Sequence, residues 1–202
     1  MAKRQTIDAA ATSGGSFGQR MLESFAIKGA PMLEARDLRF GPLAVFELRY
    51  DGYEYGESEP TPSQDALLVS IQLRASAHHR VAENGRLLPE VPLEVGMTCV
   101  HDLRGGLSAR SLEPFHSVNF IIPMADMVEA QEERVSPPPL AAETRMAMKD
   151  PVFEALGRAV MPALAQPERA MRMFVDQVMF AMRSHVGASF NLRPRQIAPG
   201  GL

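Results

Sequence analysis

Between Leu43 and Ile122 apolar and polar positions trade places with a period of two. Leu67, Val69, Ile71 and Leu73 alternate with Leu68, Ser70, Gln72 and Arg74, which predicts a strand with one buried face. Met97–Asp102, Leu107–Leu112 and Phe115–Ile122 read as further strands, divided by Arg104-Gly105-Gly106 and Glu113-Pro114. Val81–Glu83 and Arg86–Leu88 flank Asn84-Gly85, the pair that supplies the two positive φ values of a type I′ hairpin turn. Asp51–Asp65, which holds Pro60 and Pro62, predicts a long acidic loop. Several short strands with turn signals between them predict an antiparallel sandwich or barrel.

The flanks follow a helical period. Ser16 caps a predicted helix from Phe17 to about Ile27, with Phe17, Met21 and Phe25 near one face and Gly29 and Pro31 as stop signals. Pro123 opens a short acidic helix, Met124 to about Glu133, which Pro137-Pro138-Pro139 breaks. Asp150 at the N-cap and Pro151 at the first helical position start another helix, with Val152, Leu156, Ala159, Val160 and Ala163 on one face. Pro162 is expected to kink or end it. A last helix runs from about Pro167 to Val186 and stops at Gly187. The organisation expected is therefore a flexible arm (1–16), a short helix with a barrel and an acidic helix (17–134), a linker crossing (135–149), a helical hairpin (150–187) and a terminal linker (188–202).

Composition narrows the function classes. Among 202 residues, 21 basic and 24 acidic side chains leave a net charge of −3. That balance argues against a surface built to grip nucleic acid. Hydrophobic residues at 46% suffice for a core without disulfide or metal. Cys99 is the single cysteine, which suits a reducing compartment. No apolar stretch follows Met1-Ala2-Lys3-Arg4, and none approaches the ~20 residues a bilayer crossing needs. The expectation is a cytoplasmic protein that does not engage membranes.

Candidate chemistry is sparse. His79, His101 and His116 would hold a divalent metal if all three faced into one barrel. The other close pair, His78-His79, points to opposite faces, so the spacing of a ligand set is missing and no cofactor is expected. No Gly-x-Ser-x-Gly elbow occurs. Cys99 lies within a strand, away from any helix N-terminus that would activate it. Gly14-Gly15-Ser16-Phe17-Gly18 lacks the preceding strand and the following Gly-Lys of a phosphate loop. No catalytic constellation is visible, and the chain is expected not to be an enzyme.

A set of segments carries a family resemblance. Glu59-Pro60-Thr61-Pro62 running into Ala66–Arg74 resembles the first barrel strands of AraC-type transcription regulators. So do Asn84-Gly85-Arg86, Gly96–Arg104, Pro114-Phe115-His116 through Pro123, Asp150-Pro151, Phe174–Val178 and Phe17–Arg20. The resemblance implies an α+β, mainly β domain: a cupin-like antiparallel barrel or jelly roll followed by a helical hairpin. It further implies a homodimer, a small-molecule effector of unknown identity, and DNA contact only through a helix-turn-helix domain that these residues do not encode. The other reading is a free-standing cupin enzyme with a metal on the barrel histidines.

Alternation nominates Phe46, Leu48, His79, His101 and Phe120 as inward-facing pocket residues, with the N-terminal arm as a lid. Placing the last helix at 100° per residue puts Met171, Phe174, Val175, Val178, Met179, Ala181, Met182 and Val186 on one arc. Arg172, Asp176, Gln177, Arg183 and Ser184 fall opposite. Met173 and Phe180 interrupt that polar arc, seven residues apart on one line. Either the same chain covers this line, or a second copy does, and the resemblance favours a second copy. Met173, Gln177, Phe180 and Ser184 are the expected dimer interface.

Overall fold

The computed structural model describes residues 17–27, 30–37, 41–124, 127–129, 145–190 and 192–194. The expected arm, the end of the acidic helix and most of the linker crossing lie outside these residues. Helix α1 (Phe17–Ser24) precedes strands β1 (Met32–Asp37), β2 (Gly41–Tyr50), β3 (Gly56–Glu57) and β4 (Ala66–Gln72). Then come β5 (His79–Glu83), β6 (Arg86–Leu87), β7 (Met97–Asp102), β8 (Leu107–Ser111), β9 (Phe115–Pro123), β10 (Met127–Glu129) and β11 (Met148–Lys149). Helices α2 (Pro151–Ala165) and α3 (Arg172–Ser189) and strand β12 (Leu192–Pro194) complete the order.

Two antiparallel sheets face each other in a sandwich. One has six strands in the order β1-β2-β9-β4-β7-β11, and the other has four in the order β3-β8-β5-β6. The β5–β6 hairpin turns at Asn84 (φ 51°) and Gly85 (φ 69°), the two left-handed positions its turn type requires.

Every residue of β4 is buried, on both faces rather than one. Leu67, Val69 and Ile71 meet the helices, together with Leu43, Val45, Val100, Val118, Phe120 and Ile122. Leu68 faces the other way, with Ala44, Phe46, Leu48 and Ile121, into the sandwich, where Met21 and Leu22 of α1, with Phe25 just after it, close it. The central strand is covered twice because the helical pair lies on the outside of the six-stranded sheet and the second sheet lies on its inside.

Asp150 caps α2, accepting hydrogen bonds from the Val152 and Phe153 backbone N–H groups at 2.8 and 3.1 Å, with Pro151 in the first turn. The buried face of α2 is Phe153, Gly157, Val160, Ala163 and Leu164. Val152 and Ala159, expected on that face, are exposed. Gly157 allows the close approach: a Cβ there would stand 2.7 Å from Ile71 Cδ1. Pro162 does not break the helix, which runs three residues beyond it.

The last helix starts later than expected, because Pro167–Arg169 forms a 3-10 turn, and it continues through Gly187 to Ser189. Arg183 is buried although the helical arc placed it outside, whereas Met171 and Phe174 are exposed. The acidic helix from Met124 is also corrected. Met127–Glu129 is strand β10, hydrogen-bonded to β12, so this stretch pairs with the segment expected to be a terminal linker. Among the described residues, no helix is long and apolar enough to cross a membrane.

Candidate functional site

Between the sheets lies a cavity of about 100 Å³. Its walls come from both sheets, because the inward positions of β2, β4, β7 and β9 meet those of β5 and β8. One part of the lining is apolar: Phe25, Leu48, Leu68, Leu107, Phe115 and Met146. The other is polar: Ser70, Gln72, Ser76, His79, Ser117 and Asn119, with His101 between them. Asn119 Nδ2 donates to Ser117 Oγ at 3.0 Å. Tyr55 packs edge-on against Phe115 at 5.2 Å between ring centroids, and its hydroxyl donates to the Phe25 carbonyl.

A buried charge network fixes one imidazole in this wall. Glu83, on β5 of the smaller sheet, reaches across the sandwich to His101 on β7 of the larger one, with Oε1 3.1 Å from Nδ1. Arg145 grips the same carboxylate with two nitrogens, at 3.0 and 2.9 Å, and donates to the Val100 carbonyl at 2.8 Å. Burial alone would raise the Glu83 pKa. The hydrogen bonds from His101 and Arg145, aided by their charges, outweigh burial and bring it down to about 2. An ionised carboxylate can only accept, so Nδ1 carries the hydrogen. In the neutral ring, Nε2 is then left as an acceptor for whatever occupies the cavity.

His79 stands near His101 and starts β5 opposite Ser111. Burial lowers its pKa first and the neighbouring His101 lowers it further, while Glu90 and Glu113 pull the other way. Its Nδ1 atom is buried without a hydrogen-bond partner, as is the Ser76 hydroxyl. Cys99 also lines the cavity; burial pushes its thiol pKa up, against the Ala147 N–H bond that lowers it. This is a weakly nucleophilic thiol.

Of the five nominated pocket residues, Leu48, His79 and His101 line the cavity. Phe46 points into the same interior but belongs to the apolar cluster with α1. Phe120 does not face inward. It lies on the outer face of β9, packed beneath the helices, and its neighbours Ser117 and Asn119 occupy the cavity wall. The three-histidine arrangement fails for the same reason. His116 shares Phe120's side of β9 and bonds Glu47 Oε1 at 2.7 Å. Among the described residues, no three His, Cys, Asp or Glu side chains converge as a metal site.

Ser70, Gln72, Ser117 and Asn119 were visible as the polar half of an alternation. A polar strand face turned to solvent and one turned to a cavity read alike in sequence. Glu83 and Arg145, 62 positions apart, carry no shared sequence signal.

On α3, Met173 is 75% exposed and Phe180 48%, with Gln177 and Ser184 exposed on the same line. None of the described residues covers it.

No protein-family model and no curated protein matches this chain. Solved structures do. The chain is similar to an RmlC-like cupin protein from Desulfovibrio desulfuricans, at 13% identity and a TM-score of 0.32, over 61% of this chain and 97% of that one. It is similar to KdgF from Halomonas sp., at 15% identity and a TM-score of 0.34, over 48% and 81%. A cupin domain from Bordetella pertussis Tohama I is similar at 16% identity and a TM-score of 0.34, over 46% and 93%.

Proposed function

We propose that this chain is the ligand-sensing and dimerisation part of an AraC-type transcription regulator, cytoplasmic and not itself an enzyme. The effector site is the cavity between the sheets. DNA would be read by a helix-turn-helix region outside these 202 residues. The observation that carries the reading is the cavity wall itself, where one imidazole is held by Glu83, itself gripped by Arg145, beside polar groups that lack partners. A small, mostly apolar cavity with a few oriented polar groups is what reversible recognition of a small molecule requires. The helical pair lies directly on the sheet that forms the wall, and its outer face carries the apolar line that a second copy would cover.

Native mass spectrometry combined with elemental analysis tests this reading. The expected result is a dimer that releases a small organic molecule and holds no stoichiometric transition metal. Stoichiometric iron, zinc or manganese that is lost in His79→Ala or His101→Ala would overturn it in favour of a cupin enzyme. In a mobility-shift assay, the chain by itself is expected to give no discrete, salt-resistant complex with DNA, because base readout needs an element in a groove.

A further inference from the structure

We propose that the cavity takes a small organic monocarboxylate, with its anionic end at Ser76 and His79 and its apolar body against Leu48, Leu68 and Phe115. The inference rests on the effector-site reading and adds the chemical class.

The lining decides the sign of charge. Among the described residues, no Asp, Glu or Lys lines the cavity. Arg110 belongs to the wall, but it occupies an exposed position of β8, out of phase with the buried Leu107 and Ser111. Glu83, behind the wall, is already neutralised by Arg145 and His101, and Glu90 and Glu113, which act on His79 from outside, are not among the lining residues. A cation entering here would lose its water and meet no carboxylate in the described lining to replace it.

The hydrogen-bonding capacity points the same way. The Ser76 hydroxyl, on a residue only 5% exposed, and His79 Nδ1 are both buried without partners, and both can donate. Ser117 Oγ already accepts from Asn119, so its own hydrogen remains to be given. A carboxylate only accepts, and it satisfies such donors with charge-assisted bonds. Most of the remaining wall is apolar, and about 100 Å³ holds several waters, at roughly 10–15 Å³ each. The fitting ligand has a short aliphatic or aromatic body on a single carboxylate.

His79 then supplies the missing charge. The groups that act on it are His101, Glu90 and Glu113, with the Glu83–Arg145 pair behind His101. In the empty cavity burial and His101 favour its neutral form. An incoming carboxylate favours the imidazolium, so the ring takes one proton from solvent as the anion binds. Affinity therefore rises as pH falls toward the empty-state pKa of His79 and declines as pH rises.

The test is calorimetric titration of the full chain with hexanoate, benzoate, hexanamide and benzamide at neutral pH, in two buffers of different ionisation enthalpy. The carboxylates should bind one per chain with uptake of close to one proton. The amides should bind at least tenfold more weakly. Ser76→Ala and His79→Gln, each checked for an unchanged circular dichroism spectrum, should each weaken carboxylate binding by roughly tenfold or more. His79→Gln should also abolish the proton uptake. Equal binding of acids and amides, or carboxylate binding indifferent to both substitutions, overturns the assignment of charge and leaves the effector site standing. Saturable binding of none of the four probes overturns the charge assignment. If, in addition, native mass spectrometry finds no organic molecule released, the effector-site reading falls with it.

Discussion

The Glu83–Arg145 contact shows how one residue pair can join parts that the chain leaves far apart. Arg145 is 3% exposed and lies just before β11, which in turn leads into the Asp150 cap of α2. Removing one partner of a buried ion pair leaves the other charge without compensation, which costs about 3–5 kcal/mol. Glu83→Gln and Arg145→Met should each destabilise by roughly that amount, whereas the double variant should cost clearly less than the sum. Urea unfolding of the four proteins checks this, and simple additivity would contradict the pairing. Cys99 gives a second expectation at this scale. With its thiol buried and its pKa raised, it should react with a thiol reagent only as fast as the chain opens.

Among the elements, α2 and α3 divide their tasks by face. The inner face of α2 carries Gly157 against Ile71 and Val118, with no room for a larger side chain. Gly157→Val should destabilise by about 1–3 kcal/mol through overpacking, in spite of glycine's poor helix propensity. The thermal midpoint reports it. The outer face of α3 carries Met173, Gln177, Phe180 and Ser184, with Met173 and Phe180 as an exposed apolar line. Under the proposed function the partner is the same helix of a second copy about a two-fold axis. Met173→Glu with Phe180→Glu should give a folded monomer in sedimentation equilibrium. A folded dimer of unchanged affinity would remove the interface from α3.

For the molecule as a whole, acid is the informative perturbation. The Glu83 pKa stands at about 2, well below the usual carboxylate range. Asp150 is also lowered: burial would raise it, but the hydrogen bond from His185, at 2.8 Å, and those from the α2 backbone outweigh burial. A carboxylate whose pKa is depressed by folding contributes stability above its unfolded pKa and loses it as pH falls through the folded value. Stability should therefore fall between about pH 4.5 and 2, with Glu83 contributing part of the loss. In Glu83→Gln that slope should flatten, as measured by denaturant unfolding across the acid range. The same carboxylate ties the two sheets together, so acid should loosen the sandwich and the α2 cap together.

Local rules were enough for the elements that depend on neighbouring residues. Asn84-Gly85 determined a type I′ turn, Asp150-Pro151 a helix start, and alternation the strands β4, β7, β8 and β9 almost to the residue. Those signals are written within a few positions of the chain and need no partner to act. The sequence also sufficed for a mainly β sandwich followed by two helices. What it left open was which side of each strand is which. Val118 and Phe120 are the apolar half of β9, yet they face the helices, while Ser117 and Asn119 face the cavity. Alternation fixes two faces without naming them, and only the packing of helices on one side and a second sheet on the other assigns Phe120 outward and the serines inward. Arg183 and Phe174 on α3, and Met171 at its N-cap, were misplaced for a related reason, since the register of a helix against a sheet is set by shape as well as by polarity. The conversion of Met127–Glu129 from helix to strand needed β12, 63 residues further on, as its pairing partner. The Glu83–His101–Arg145 network belongs wholly to the tertiary structure, because its three members meet only when β5, β7 and the approach to β11 converge across the sandwich.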